Sequence, residues 1–345
     1  MPVRRQAADL VALPIEEFAA DSKSICLLKA RWAGMLFFLS FLSPFRAMSS
    51  DLNLVPGLAP RAATCRPSGP EHIMPATPAT DMPAIDRLFA GLRAAKRKAL
   101  MPFVTAGDPD VAFTAAVLRE LVARGASMCE VGIPYSDPIA DGPVIQASYT
   151  RALDRGVKLC DILGMLAETA PQLAAPVVTM VSYAIVYRHG IEKYCDEVRA
   201  AGVAGLIVPD LPVEESPALA QVCAERQLSL IQLVTPLTPR DRALRICETS
   251  SGFVYYVSVA GITGERTALP PELIDNVGWL REQTALPICI GFGVSTPDHV
   301  RLLAPAADGL IVGSAIVRRI AAEAPREKVL RDVGEYVASL LAALS

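Results

Sequence analysis

From residue 82 onward the chain alternates short apolar runs with amphipathic segments, and this alternation limits the folds open to it. Eight runs have the length and composition of buried strands: 100–105, 128–133, 176–182, 205–208, 228–234, 253–257, 287–291 and 309–312. Helices are predicted between or beside them at 85–98, 111–123, 144–154, 191–201, 216–225, 240–248, 271–283 and 296–303. Apolar strands separated by helices are typical of a parallel sheet that is covered on both faces.

Eight such units predict an α/β fold, a (β/α)8 TIM barrel. A doubly wound open sheet is the alternative. That fold usually has a glycine-rich turn after its first strand, and the segment 106–109 here, Ala-Gly-Asp-Pro, is not one. In a barrel the chemistry lies at the C-terminal ends of the strands, so the residues that end the predicted strands are the candidates for a site.

Residues 1–81 differ from the rest of the chain. Their apolar run at 32–42 is shorter than the roughly 20 residues that a transmembrane helix needs. Lys29 and Arg31 precede the run as in a signal peptide, but it lies far from the first residue and no small-residue cleavage site follows closely. The later prolines are typical of a mobile linker. We expect a disordered extension, or one that is not translated, before a catalytic domain at 82–345. The alternative start residues are Met48, Met74 and Met82.

Charge, cysteine and histidine content exclude several classes of function. The formal net charge is −3, which leaves no basic surplus of the kind expected for binding nucleic acid. Eight cysteines stand singly, without a C-x-x-C pair, as is typical of reduced thiols in a cytosolic protein. His72, His189 and His299 show no metal-ligand spacing. We therefore expect a cytoplasmic protein without a metal site and without nucleic-acid or membrane partners.

One predicted strand carries an acid within its apolar run. Glu130 lies inside the run 128–133, where a carboxylate is costly unless it is paired or used. The loop that follows holds Asp137 and Asp141 and is stiffened by prolines. A purely structural interpretation pairs the glutamate with an arginine and lets the aspartates cap backbone amides. Three acids at one stiffened strand end favour acid–base chemistry instead.

Glycine-rich turns follow the last two predicted strands, at 291–295 and 313–317, and a third lies at 261–264. Glycines let backbone amides approach a ligand closely, and Ser314 stands where a helix is expected to begin and can bind an anion there. Barrels often bind phosphate at these last two loops. The alternative is that the glycines only form tight turns. We predict a phosphate site, which specifies a ligand group and not a reaction.

The segment 82–345 resembles the alpha subunit of tryptophan synthase over the whole length of that family. The most specific stretch is Glu130-x-Gly132-x-Pro134-Tyr135-Ser136-Asp137-Pro138-x-Ala140-Asp141-Gly142-Pro143-x-Ile145-Gln146. Similar stretches lie at 102–109, 209–215, 261–264 and 291–293. The resemblance implies a lyase of tryptophan biosynthesis. Its retro-aldol reaction cleaves indole-3-glycerol phosphate to indole and glyceraldehyde 3-phosphate without a metal or cofactor in this chain.

The resemblance also implies roles for single residues. Glu130 matches the family's general acid–base residue, and its apolar strand is expected to raise its pKa toward neutrality. Asp141 matches the carboxylate that holds the indole N–H, Tyr255 a tyrosine near the catalytic glutamate, and Thr263 a threonine of the mobile loop. The other matches are Gly264, Gly293, Gly313 and Ser314 for the phosphate, and Phe103, Tyr183 and Phe292 for the walls of the indole pocket. For the aromatic residues, core packing is the alternative.

A partner is implied as well. The family's beta subunit carries pyridoxal phosphate and forms an α2β2 tetramer with the alpha subunit, and Asp137 and Pro138 match the loop that faces it. The departures from the family pattern are Ala184-Ile185, where many members have an asparagine on the partner side, Val259-Ala260, where some have an arginine before the lid, and Cys129, where an aliphatic residue is usual. A buried thiol packs as a small hydrophobe, so the last departure is mild.

Two alternative functions are compatible with the same resemblance. A stand-alone lyase would have the same catalytic residues but release free indole, and the changes at 184–185 are the hint in that direction. A catalytically silent scaffold would activate a partner without turnover. The presence of both Glu130 and Asp141 counts against the scaffold, because a silent chain has no reason to keep a costly acid at a strand end.

Overall fold

The computed structural model of the chain describes residues 82–138, 141–257, 271–291 and 293–344. Its strands are β1 (Ala99–Thr105), β2 (Cys129–Gly132), β3 (Val177–Met180), β4 (Gly205–Ile207), β5 (Ser229–Ile231), β6 (Leu233–Val234), β7 (Val254–Val257), β8 (Ile288–Gly291) and β9 (Gly309–Val312). Its helices are α1 (Ala84–Ala94), α2 (Val111–Ala123), α3 (Pro143–Asp154), α4 (Leu159–Thr169), α5 (Tyr183–His189), α6 (Ile191–Ala200), α7 (Ser216–Glu225), α8 (Arg240–Thr249), α9 (Pro271–Gln283), α10 (Pro297–Leu303), α11 (Ser314–Ile320) and α12 (Arg326–Leu344).

These strands form one parallel ladder in the order β5-β4-β3-β2-β1-β9-β8-β7-β6. Its two end strands are consecutive in the chain and separated by Gln232 alone, so the chain itself closes the barrel. The predicted TIM barrel is confirmed, and the open-sheet alternative is wrong. The strand predicted at 228–234 is divided at the buried Gln232, because its first part pairs with β4 and its second part with β7. Gln232 O accepts a hydrogen bond from Tyr255 N at 3.0 Å, and the Gln232 side chain donates one to Thr249 Oγ1 at 2.7 Å.

Side chains alternate between the inside of the barrel and the layer of helices, as successive residues of a strand must. In β1, Met101 belongs to the apolar cluster inside the barrel, whereas Leu100 belongs to the cluster under the helices. In β2, Cys129 and Val131 belong to the outer cluster. The same alternation directs Glu130, between them, to the inside. The outward position of Cys129 explains why this departure from the family pattern leaves the interior unchanged.

Helix α1 fills the N-terminal end of the barrel. Its buried residues Ile85 and Phe89 belong to the inner cluster, and the Phe89 ring lies 5.9 Å from that of Phe253, which directly precedes β7. Leu92 continues the same helix face one turn further on. With this end filled by aliphatic and aromatic groups, the polar residues of the interior lie toward the opposite end, as is usual for barrel enzymes.

Most predicted helices are present with small shifts of their ends, and 111–123, 216–225 and 271–283 have the predicted bounds. The helix predicted at 85–98 ends at Ala94, because Lys96 takes a left-handed conformation with φ of 53°. Helices α4, α5 and α12 were not predicted. Helix α5 is short and follows β3 closely, with Ser182 Oγ accepting a hydrogen bond from Ala184 N at 3.3 Å.

The predicted extension at 1–81 lies outside the described residues. Among the helices that the structure describes, none is long and apolar enough to cross a membrane.

Candidate active site

Glu130 is buried at the centre of the candidate site, with 2% of its surface exposed. It pairs in register with Phe103 of β1 and Val178 of β3. Within the described ranges, its Oε1 has no hydrogen-bond partner and no arginine forms an ion pair with it. Burial, and after it the charge of Asp141, raise the pKa of Glu130 to about 8. The group is therefore poised to take or give a proton near neutral pH.

Asp141 stands at the end of the loop after β2 and is partly buried. Burial raises the pKa of this carboxyl to about 6, and a hydrogen bond from the Tyr135 hydroxyl opposes the rise. The loop is held from helix α3, where Gln146 Nε2 donates to Asp141 O at 2.7 Å and to Pro138 O at 3.1 Å. These bonds fix the backbone of the loop at the edge of the site.

Tyr255 of β7 approaches the two acids from the other side of the barrel. It is 7% exposed, and burial raises its pKa, followed by the charges of Glu130 and Asp141. Its hydroxyl lies against the backbone of Gly291 in the neighbouring strand β8, where a Cβ atom would collide with it. The structure thus brings together the three residues that the resemblance assigns to catalysis.

Phe103 and Tyr183, the two predicted pocket walls that the structure describes, lie in different places. Phe103 is buried in a cluster with Ile145, Tyr149 and Val317, directly beside Glu130. Tyr183 begins helix α5, where its backbone N donates to Asp210 Oδ1 at 2.7 Å and its partly exposed ring packs on Tyr187 at 6.0 Å. It stands at the rim. The predicted wall Phe292 and the predicted lid and phosphate residues Thr263 and Gly264 lie outside the described residues, as does the departure at 259–260.

The predicted phosphate residues Gly293, Gly313 and Ser314 follow β8 and β9. Helix α11 begins at Ser314 as predicted, and Gly313 O accepts hydrogen bonds from Ile316 N at 2.8 Å and Val317 N at 3.1 Å. A Cβ at Gly313 would lie 3.6 Å from that of Phe103, so this turn adjoins the aromatic wall. The turn at Gly293, with φ of 79°, needs the left-handed conformation that glycine adopts freely.

Comparison with known proteins assigns the family. The family model described as tryptophan synthase alpha chain matches residues 89–344. The chain belongs to the tryptophan synthase alpha chain family. A tryptophan synthase alpha chain from Rhodopirellula baltica is 62% identical over 243 residues, which cover 70% of this chain and 87% of the relative. One from Synechocystis is 47% identical over 247 residues, covering 71% and 94%.

Solved structures agree with this assignment. The tryptophan synthase alpha chain of Legionella pneumophila superimposes with a TM-score of 0.69 at 34% identity, covering 76% of this chain and 97% of its own. A tryptophan synthase from M. tuberculosis, in an open form with BRD0059 bound, gives a TM-score of 0.69 at 30% identity, covering 76% and 99%.

Two tyrosines beside the acids received no role from the sequence. Tyr135 lies in the most specific stretch of the family motif, and Tyr149 lies on helix α3 with 1% of its surface exposed. Their rings are 5.6 Å apart, and burial raises the pKa of both hydroxyls. Tyr149 follows the apolar Ile145 by four residues, a spacing that puts both on one face of the helix, but its nearness to Glu130 depends on the path of the loop.

The remaining strand-end acids lie apart from the pair. Asp137 is exposed and accepts a hydrogen bond from Ser136 Oγ at 2.6 Å, so of the three acids of β2 and its following loop, Glu130 and Asp141 converge and Asp137 faces solvent. Asp108 is buried and is bound by Arg151 at 2.6 Å and Arg155 at 3.4 Å. This ion pair ties the loop after β1 to helix α3, which is a structural role.

The raised pKa values of the two acids predict how the stability of this family member depends on pH. For both, the pKa rises on folding, from 4.5 to about 8 for Glu130 and from 3.8 to about 6 for Asp141. A carboxyl group whose pKa is higher in the folded than in the unfolded state makes its full contribution to the free energy of unfolding at pH values below the unfolded pKa. That contribution is lost as the pH rises through the folded pKa. The Glu130 contribution to the free energy of unfolding should therefore fall between pH 4.5 and about 8.

Urea unfolding of the wild type and Glu130→Gln near pH 5 and near pH 9 measures this contribution. The variant cannot ionise at this position. Between the lower and the higher pH, its free energy of unfolding is therefore expected to increase by about 2–4 kcal/mol relative to that of the wild type. Equal changes in the two proteins would contradict the assigned pKa of Glu130.

Proposed function

We propose that this chain cleaves indole-3-glycerol phosphate to indole and glyceraldehyde 3-phosphate, with Glu130 and Asp141 as its catalytic acids. The lyase activity follows from membership in the tryptophan synthase alpha chain family. The observation that carries the assignment of roles is the pairing of a buried glutamate, whose Oε1 has no hydrogen-bond partner among the described residues, with a partly buried aspartate. Two carboxyl groups in different surroundings hold different charge states at one pH, as acid–base chemistry requires.

In this mechanism the bond between indole C3 and the glycerol carbon breaks after C3 is protonated and the adjacent hydroxyl loses its proton. Glu130, with a pKa of about 8, exchanges protons at neutral pH and serves both transfers. Asp141, with a pKa of about 6, is mostly ionised at the same pH. Its negative charge accepts the indole N–H and stabilises the positive charge that C3 protonation places on the ring. Tyr255 lies beside both acids and keeps this region closely packed.

The phosphate of the substrate is proposed to lie at the turns after β8 and β9. Replacing Ser314 by aspartate is expected to raise KM for indole-3-glycerol phosphate by at least about tenfold, because a carboxylate would face the phosphate. Ala285→Asp adds the same charge in the exposed segment before β8, at the opposite end of the barrel, and serves as the matched control. Steady-state kinetics of both variants measure the effect. A similar rise in KM for both would point to net charge and not to a phosphate site.

The expected partner is a tryptophan synthase beta subunit, in an α2β2 tetramer in the cytoplasm, with pyridoxal phosphate held by that partner and no cofactor in this chain. Support comes from the C-terminal end of the barrel, where Tyr187 is 68% exposed and Leu237 is 83% exposed. They follow β3 and β6, and Asp137 is exposed after β2 at the same end. Exposed large apolar side chains at the end that holds the site fit a docking surface.

The test is turnover of indole-3-glycerol phosphate by the purified chain, alone and with a beta subunit added. Weak activity that rises strongly on addition is expected. Strong activity with no response would favour a stand-alone lyase, and no activity in either case would favour a silent scaffold. The domain assignment is tested in the same assay with a chain that begins at Met82, which should be as active as the full chain, since the family match begins at residue 89.

A further inference from the structure

Tyr336 of the final helix α12 contacts the turn that follows β8. The residue is buried, and its hydroxyl donates a hydrogen bond to Ser295 O at 3.0 Å. Ser295 lies two residues after Gly293, which is one of the proposed phosphate residues. The two bonded residues are 41 positions apart in the chain. One side chain therefore ties the last helix to a turn at the C-terminal end of the barrel.

The hydrogen bond is directed to a backbone carbonyl of this turn. At the other end of the same turn, His299 Nδ1 lies 3.1 Å from Gly293 O. A turn binds an anion through backbone N–H groups that face it together, so its carbonyl oxygens need partners elsewhere. Burial raises the pKa of the Tyr336 hydroxyl, which therefore keeps its proton and remains a donor across the neutral pH range.

The face of the Tyr336 ring contacts the turn after β9 through Arg319 of helix α11. The guanidinium carbon of Arg319 lies 3.5 Å from the ring centroid, within the range of a cation–π contact. Arg319 Nη1 also donates to Ala315 O at 2.8 Å, and Ala315 directly follows Ser314. The turns after β8 and β9 are thus joined through one tyrosine, by its hydroxyl on one side and by its ring on the other.

We propose that Tyr336 is a positioning residue for the phosphate of the substrate, because it holds the turn after β8 and, through Arg319, the turn after β9 in a fixed relation. The inference rests on the proposed function, in which the phosphate lies at these two turns. Tyr336 belongs to the apolar cluster under the helices and not to the cluster inside the barrel. It therefore acts through Ser295 and Arg319 and not by touching the reacting atoms.

The variant Tyr336→Phe removes the hydroxyl and keeps the ring on Arg319. We expect KM for indole-3-glycerol phosphate to rise by about threefold to tenfold, the range that the loss of one hydrogen bond gives. The kcat should stay within about twofold of the wild-type value, as expected when binding is weakened without a change in the chemical step. Glu130 and Asp141 belong to β2 and its loop, which the substitution does not touch.

The matched control is Tyr256→Phe. It removes a hydroxyl that is likewise buried under the helices, but on β7, a strand that neither turn follows. Its KM and kcat should equal those of the wild type. Thermal unfolding of both variants is measured beside the kinetics, because a tyrosine with a purely structural role would change the unfolding midpoint and leave KM as it is.

Equilibrium binding of two fragments of the substrate separates the phosphate end from the indole end. The Kd of glycerol 3-phosphate, which carries the phosphate, should rise in Tyr336→Phe as KM does. The Kd of indole, which carries no phosphate, should stay at its wild-type value. Unchanged affinity for glycerol 3-phosphate, or an equal loss of affinity for both fragments, would overturn the proposal.

Arg319→Lys tests the contact through the ring. Lysine keeps the positive charge but lacks the planar group that stacks on the ring and donates to Ala315 O. KM should rise and kcat should stay, as in Tyr336→Phe. A KM equal to the wild-type value would mean that charge alone matters at this position, and it would overturn the link to the turn after β9.

The binding measurements need no turnover, so they separate this proposal from the proposed function. If the wild-type chain bound glycerol 3-phosphate but was inactive with and without a beta subunit, the lyase function would fail, and the affinities of the variants would still decide the role of Tyr336. A wild type that neither bound this probe nor turned over substrate would overturn both. If the wild type were active and neither KM nor the affinity for glycerol 3-phosphate responded to Tyr336→Phe, the inference alone would fail.

Discussion

Replacing Glu130 by glutamine is expected to lower kcat for indole-3-glycerol phosphate by about a thousandfold while leaving substrate affinity nearly unchanged. The amide has the shape of the protonated carboxyl, so the packing around Phe103 and Val178 is kept. It cannot exchange a proton, and both transfers of the cleavage need one. On the proposed function, binding comes chiefly from contacts to the phosphate and to the indole ring, which the substitution does not touch.

Steady-state kinetics together with equilibrium binding of a non-cleavable substrate analogue separate the two effects. The matched control is Glu335→Gln, which neutralises an exposed acid on the far helix α12 and should leave kcat intact. We expect Glu130→Gln to be at least as stable as the wild type above neutral pH, and the urea unfolding described above checks that a loss of activity does not come from unfolding. A kcat of Glu130→Gln within tenfold of the wild-type value would contradict the assignment of Glu130 as the acid–base group.

The second large effect is expected from Gly132→Ala at the end of β2. A Cβ there would lie 2.5 Å from Phe103 Cζ and 2.6 Å from Tyr149 Oη, distances at which one group must move. Both rings are buried, so neither can move into solvent. Overpacking of this kind costs about 1–3 kcal/mol in the free energy of unfolding. Because the displaced rings adjoin Glu130 and Tyr135, kcat should fall by at least about tenfold as well, as expected when catalytic groups are misplaced.

Gly164→Ala on helix α4 is the control for this substitution. A Cβ at Gly164 meets no atom within 4 Å, and the residue is in a helix interior, so alanine should stabilise the chain by about 0.5–1 kcal/mol. Thermal and urea unfolding with activity assays compare the two variants. If Gly132→Ala behaved like Gly164→Ala, the crowding at the mouth of the barrel would be less severe than the contacts indicate.

The sequence predicts the barrel because its strands are short apolar runs at regular intervals, a pattern that a parallel sheet covered by helices requires. It also predicts the inward direction of Glu130, since Cys129 and Val131 must face the opposite way. It does not predict the break at Gln232. A single polar residue in an apolar run is compatible with a continuous strand, and only the position of Thr249 shows where its side chain finds a partner.

Part of the candidate site is also predictable, because some of its residues lie on the predicted strands. Glu130 and Tyr255 lie on strands, whose geometry is fixed by pairing, so their convergence follows from the fold. The position of Asp141 depends on the course of a loop, which Gln146 holds from a helix and which no periodicity encodes. Helix α5, whose first residue is Tyr183, is too short to show a clear helical period, so the sequence did not predict the helix that positions this tyrosine.

The filling of the barrel by helix α1 has a consequence for the passage of small molecules. With Ile85 and Phe89 packed into the N-terminal end, a reactant reaches Glu130, and a product leaves it, through the other end. That end also carries the exposed side chains of Tyr187 and Leu237. A protein that binds these side chains would stand across the exit, so a released apolar product would pass to that protein before it reached bulk water. A barrel with one blocked end can thus deliver its product in a single direction.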